Sequence, residues 1–281
     1  MKDYYKNFLS PAYQNLREIS ENHKSSYAAG NPFPNIYFED FFSEEYLNQV
    51  LDEFPDLSKK KSQKMVSVNE FKFAGIADEF FGDNTRAFMN FLNSKTFLEF
   101  LQDLTGIDET LVGDPYFFGA GQHEIKRGGF LKVHADFNTH KLFKLDRRLN
   151  VLIYLNKDWK KEYGGNFELW DTDMSKCIKK IPPLFNSMAI FSTTDFSFHG
   201  HPDKLNCPEN MSRKSLALYY YSNGRPNEEK NLLKNSFQKE GTLFKARRGN
   251  DTELKKNVFK TEIKIVLKKF FFNSVSLPLL A

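Results

Sequence analysis

His134 and Asp136 stand two residues apart, and His199 and then Arg213 follow downstream, the last two separated by fourteen positions. Two neutral imidazoles and one carboxylate can hold a ferrous ion on one face and leave its other positions open for a co-substrate and dioxygen. On a β-strand, side chains alternate, so His134 and Asp136 project to the same side and a distant histidine can close the trio. A lone His-x-Asp pair arises readily by chance in a chain with six histidines, and a surface strand would account for it. The downstream order raises its weight. His199 ends the run Asp195-Phe196-Ser197-Phe198-His199, and Arg213 opens a strand whose next same-side residues, Ser215 and Ala217, are small. In an apolar pocket an unpaired guanidinium would be costly, whereas a carboxylate guest can receive its fork bidentately. These residues point to metal-dependent oxidation with a dicarboxylate co-substrate.

Other residues near the motif compete for roles. His201 lies two positions after His199 and would face the same way if the strand continued, but Pro202 marks a strand end, so an exposed loop is favoured for His201 over a place behind the ligands or at the pocket mouth. His123 and His140 flank the motif and could line a cavity, with no spacing that makes either a ligand. Arg147 or Arg148 could meet an acidic substrate, although a solvated strand end is the simpler expectation. Trp159 and Trp170 read as packing residues. Cys177 and Cys207, thirty residues apart and without partners at zinc spacing, read as reduced thiols, which fits a cytoplasmic setting.

The elements that must position these groups differ along the chain. Residues 1–34 are polar, with a coil at Gly30-Asn31-Pro32-Phe33-Pro34, so an ordered body is expected from Ile36. Ser43 followed by Glu44 and Glu45 reads as a helix cap, and Tyr46, Val50, Leu51 and Phe54 make an apolar stripe over 44–54. Two more helices are expected between Asn84 and Gly106, the second capped by Ser94 and closed by Gly106. From Tyr116 the texture becomes short apolar or alternating runs between turn residues, as in an antiparallel sandwich or barrel. Strands are expected at 116–119, 130–134, 149–155, 166–170, 186–192 and 213–221, with Gly128-Gly129 and Gly164-Gly165 as turns. Within 149–155, Leu149, Val151, Ile153 and Leu155 share one face, and Asn150, Leu152 and Tyr154 the other.

Composition narrows the class. Thirty phenylalanines among 281 residues argue for thick aromatic packing and against disorder. No run of eighteen apolar residues occurs and the first residues lack an apolar signal core, so neither a membrane span nor secretion is expected. The net charge of +4 resides in the tail, where nine Lys or Arg stand against three acids from Lys245 onward. Phe259, Ile263, Val266, Leu267 and Phe270 lie at helical spacing, so an amphipathic basic helix is expected over 257–271, to dock on the body, meet another subunit or lie on a membrane surface. Without a recognition fold, a basic tail does not make a nucleic-acid binder.

Residues 113–223 resemble the prolyl 4-hydroxylase-like 2-oxoglutarate and Fe(II)-dependent dioxygenases. Besides the trio, the resemblance rests on Ile153-Tyr154-Leu155-Asn156-Lys157-Asp158-Trp159, Gly164-Gly165, Ile181-Pro182-Pro183-Leu184-Phe185 and Arg213-Lys214-Ser215-Leu216-Ala217. It implies that His134, Asp136 and His199 bind iron, that Arg213 receives the distal carboxylate of 2-oxoglutarate, that Tyr154 is the hydroxyl partner of that carboxylate and that Ser215 assists. It implies O2 as the second co-substrate, ascorbate as an accessory reductant, succinate and CO2 as by-products, and, with Asp136 retained, hydroxylation rather than halogenation. The expected fold is mainly β with flanking helices around a double-stranded β-helix, or jelly roll. The expected organisation is a helical support (1–112), an oxygenase core (113–225) and a basic helical extension (226–281). A prolyl residue, a free amino acid, a sugar or another small metabolite could be the substrate, and the oligomeric state stays open. Two other classes remain at this point: a cupin-like metal isomerase or hydrolase that makes no use of 2-oxoglutarate, and a non-catalytic binding module on the same scaffold.

Overall fold

Four α-helices are placed among the described residues, although the Ser94 side chain does not cap the last of them. In the computed structural model, which describes residues 4–75, 78–227, 229 and 241–248, they are α1 (Leu16–Ala28), α2 (Glu44–Asp52), α3 (Asp83–Leu92) and α4 (Lys95–Thr105). The Ser43 hydroxyl accepts the Tyr46 amide at 3.3 Å and starts α2, as its sequence predicts. Gly106, at φ +69°, ends α4 in the left-handed conformation that a glycine adopts without penalty. α1 falls in the polar stretch expected to precede the ordered body. Only Leu16, Ser20 and Tyr27 of its thirteen residues are buried, too sparse a stripe for periodicity to show, while the Asn15 side chain caps its first turn.

Among the described residues, thirteen strands pair antiparallel in one continuous sheet. They are β1 (Asn35–Glu39), β2 (Gln63–Val66), β3 (Glu70–Gly75), β4 (Val112–Gly113), β5 (Gly121–Lys126), β6 (Phe130–Ala135), β7 (Asp146–Tyr154), β8 (Phe167–Trp170), β9 (Cys177–Ile181), β10 (Ser187–Ser192), β11 (His199–His201), β12 (Ser212–Ser222) and β13 (Leu243–Phe244). Their order β1-β10-β7-β12-β5-β3-β6-β11-β8-β9 folds round into a nearly closed barrel, the jelly roll that the sequence predicts. β1, β2 and β3 come from the first third, where mainly helical support is expected. Short β13 lies in the tail and extends β6, with Leu243 opposite Ala135 and Phe244 opposite His134. The helix expected over 257–271 lies outside the described residues.

The aromatic excess has a clear location. Phe41, Phe42, Phe88, Phe97 and Phe100 pack between the helices and the outer face of the sheet, against Leu149, Val151 and Ile153 of β7 and Leu216, Leu218 and Tyr220 of β12. The opposite face of β7 presents Asn150 and Leu152 to the interior cavity, as the alternation in the sequence requires.

The strand expected at 116–119 does not form. The Asp114 carboxylate accepts the amides of Tyr116 (2.9 Å) and Phe118 (2.7 Å), which removes those donors from any ladder, and pairing begins at Gly121. A similar device shapes the next loop, where His140 Nδ1 accepts the amides of Leu142 and Phe143 at 3.2 Å each.

Candidate active site

β11 lies beside β6 with His199 directly opposite His134, which sets the two rings 4.5 Å apart between centroids. Asp136 follows immediately after β6. One donor atom from each of the three falls within 4.8 Å of the others. Nδ1 of His134 lies 2.8 Å from the Lys132 carbonyl, and Nδ1 of His199 lies 2.8 Å from the Ser197 carbonyl. A carbonyl oxygen only accepts, so each ring carries its proton on Nδ1 and turns the Nε2 lone pair inward. Those lone pairs face Asp136, at 3.5 Å from Oδ1 for His134 and 3.4 Å from Oδ2 for His199. Two lone pairs aimed at a carboxylate repel unless a cation sits among them, so the three residues fit a divalent metal, and the donor set suits Fe(II).

Asp136 is held as the anion. Burial opposes its charge, but Arg147 and His199 outweigh that and keep its carboxyl well below the usual carboxylate range. Arg147 Nη2 donates to Asp136 Oδ2 at 2.9 Å and Asn150 Nδ2 to the same oxygen at 2.7 Å, while Arg147 Nε donates to Asn150 Oδ1 at 2.8 Å. Oδ2 is thereby occupied by two donors, and Oδ1 is left for a metal. The guanidinium is sandwiched, 3.3 Å from the Tyr219 ring centre and 4.4 Å from that of Phe137.

Arg147 is therefore no solvated strand end: it is 0% exposed. Strict alternation would put it with Leu149 on the outer face. However, the β7–β12 register slips where Tyr220 faces Leu149 and Tyr221 faces Arg147, a bulge that turns Arg147 inward beside Asn150. Arg148 leaves the site to bond Glu109 and Ser222. Arg147→Met should lower Mn(II) affinity by about 10–100-fold, the usual effect of losing a group that orients a ligand. Competition with a fluorescent chelator measures it, and wild-type affinity in a folded variant would refute this role.

A cavity of about 570 Å³ of empty space, counted with its open mouth, has the trio on its wall, together with Asn150, Leu152, Arg213, Ser215 and Tyr219. Arg213 is buried, donating from Nε to the Gly165 carbonyl at 2.8 Å and from Nη2 to the Tyr154 hydroxyl at 3.4 Å. Among the described residues no Asp or Glu pairs with it. Burial, against the pull of Arg213, pushes the Tyr154 phenol up to about 12, so it stays a neutral hydroxyl. Tyr154 does not form the wall itself. Its ring packs with Phe167, Ile181 and Phe191 and reaches the site through Arg213, while Ser215, directly across from it on β12, lines the cavity. Gly165 has φ +74°, and a Cβ there would come within 2.6 Å of Leu205 and 3.0 Å of the Arg213 side chain, so only glycine supports the arginine this closely.

The remaining histidines separate. His123 lines the cavity, and burial followed by Lys72 pushes its pKa down to about 3. His140 does not line it and serves its own loop. His201 corrects the sequence reading: β11 continues through it opposite Leu131, and it is 4% exposed. Burial, Arg213 and Lys72 hold it well below the ordinary imidazole range, so it is neutral. Trp159 and Trp170 pack as expected, and both cysteines are free. Among the described residues no helix is long and apolar enough to cross a membrane.

Comparison with known proteins agrees with this geometry. Residues 120–221 match the family model described as the 2OG-Fe(II) oxygenase superfamily. A stretch of 79 residues, 27% of this chain, is 30% identical to the mouse (Mus musculus) prolyl 3-hydroxylase OGFOD1, and the match spans 14% of the length of that relative. Among solved structures, the fold resembles a Trichoplax adhaerens prolyl hydroxylase in complex with a hypoxia inducible factor oxygen degradation domain peptide fragment. That likeness has a TM-score of 0.51 at 16% identity, over 82% of this chain and 99% of the other. A prolyl 4-hydroxylase structure from Phytophthora capsici gives a TM-score of 0.50 at 16% identity over 75% and 65%.

Proposed function

Because residues 120–221 match the 2OG-Fe(II) oxygenase superfamily model, we propose that this protein is a member of that superfamily, a 2-oxoglutarate- and Fe(II)-dependent dioxygenase that hydroxylates its substrate. The observation that carries this reading is the buried Arg213, without an acidic partner among the described residues, on the wall of the cavity that also holds His134, Asp136 and His199. Iron, 2-oxoglutarate and O2, when bound, supply the oxidising equivalent and release succinate and CO2. The three ligands hold the metal, Arg147 and Asn150 fix which carboxylate oxygen it meets, and Arg213 takes the distal carboxylate with Tyr154 behind it and Ser215 alongside. Ascorbate would serve as an accessory reductant. Residues 113–225 act as the catalytic core, with 1–112 as support that also lends β3 to the barrel and Lys72 to the cavity, and 226–281 as an extension.

For the substrate, a prolyl residue in a polypeptide is favoured over a free amino acid or other small metabolite, because the mouse relative is named as a prolyl 3-hydroxylase. The free cysteines fit a cytoplasmic setting. A metal isomerase or hydrolase without 2-oxoglutarate would leave Arg213 buried and unused. Anaerobic titration separates the two: Fe(II) with 2-oxoglutarate should give a weak visible charge-transfer band that neither gives alone. A folded, iron-loaded protein that shows no band would rule the proposal out.

A further inference from the structure

His201 has both ring nitrogens buried without a hydrogen-bond partner, is 4% exposed and lines the same cavity as Arg213. A buried imidazole carries one donor and one acceptor, and a site that leaves both unmade is incomplete. Strand register fixes which end of the cavity it serves. Arg213 pairs with Ile125 near the end of β5, and His201 pairs with Leu131 near the start of β6. Those two strands are joined by the Gly128-Gly129 turn, so Ile125 and Leu131, both on the cavity wall, mark one end of it. His134 and His199 face each other farther along β6, at the metal end. His201 and Arg213 thus flank the end remote from the metal.

We infer that His201 is a co-substrate-binding residue, donating a hydrogen bond from its ring to the distal carboxylate of 2-oxoglutarate beside Arg213. The inference rests on the reading of this cavity as the 2-oxoglutarate site. It makes the anchor a clamp with donors from two strands that are not neighbours in the sheet, a guanidinium from β12 and an imidazole from β11, in place of an arginine alone. A carboxylate has enough lone pairs to accept from both.

The test uses the full chain loaded with Mn(II) and measures binding of 2-oxoglutarate and of succinate by calorimetry. Succinate keeps a carboxylate for the distal anchor but lacks the keto acid that chelates a metal. His201→Val should weaken both ligands about tenfold, the size of one hydrogen bond to a charged group, with Mn(II) affinity unchanged. His201→Gln, which restores a donor, should recover most of the loss. Wild-type affinity of the valine variant for both ligands overturns the inference alone. Loss for 2-oxoglutarate but not succinate moves the contact to the metal end and overturns the placement. A parallel fall in Mn(II) affinity would show His201 acting through His199 instead. If the wild-type protein binds Mn(II) but neither acid, the reading of the cavity fails and the inference with it.

Discussion

His199→Ala is expected to lower 2-oxoglutarate turnover by at least ~1000-fold, about 4 kcal/mol of transition-state stabilisation. Removing this imidazole takes away one of three ligands and also the ring that sits 4.5 Å from His134. The two remaining groups cannot close a facial set, so metal affinity should fall with activity. The fold should survive. Asp136 keeps its bonds to Arg147 and Asn150, and the space left lies beside Phe167 and Phe191, whose rings are 5.5 and 4.7 Å from His199. Release of labelled CO2 from 2-oxoglutarate measures turnover, metal competition measures loading, and circular dichroism checks the fold. Turnover retained in a folded, metal-free variant would falsify the assignment of the trio.

Arg213→Ala should raise the KM for 2-oxoglutarate by roughly 30-fold to several thousand-fold, the range for truncating a buried hydrogen-bonded charge pair at about 2–5 kcal/mol. Metal affinity should not change, since no contact joins Arg213 to the trio. Arg213→Lys should recover little: an ammonium can reach either the Gly165 carbonyl or the guest, whereas the guanidinium spans Gly165 and Tyr154 at once. The ligand-free variant should be at least as stable as wild type, because it no longer buries a cation without a counter-charge among the described residues. Steady-state kinetics in 2-oxoglutarate, metal titration and thermal unfolding read the three effects separately. Loss of iron with a normal KM would show that Arg213 has been misassigned.

His134, His199 and Arg213, visible in the sequence, follow an ordinary strand rule, the period-two alternation, clearest in β12, while Asp136 stands just past the end of β6. What stays hidden depends on departures from that rule or on single side chains. Arg147 faces inward only because a bulge offsets it from Leu149, and one register slip cannot be read from residue types. Asp114 cancels a strand by capturing two amides, although Tyr116-Phe117-Phe118 has the composition of one. His201 is misread because Pro202 ends β11 one residue after it, not before it. β2 and β3 are not among the strands the sequence leads one to expect, yet β3 bridges β5 and β6 and brings Lys72 to the cavity. Tertiary pairing, not local propensity, makes them strands.

β13 sets a constraint on timing during synthesis. The strand bearing His134 borders β3 at Phe130 and Leu131, but at His134 and Ala135 that same edge is covered by Phe244 and Leu243. A nascent chain grows at about 5–20 residues per second and folds from its N-terminal end. The other strands of the barrel can therefore be paired while the backbone groups beside His134 still lack their neighbour, an open edge of the kind that invites mispairing. Until residue 244 has emerged from the ribosome, His134, Asp136 and His199 can all be in place with one wall beside them unfinished.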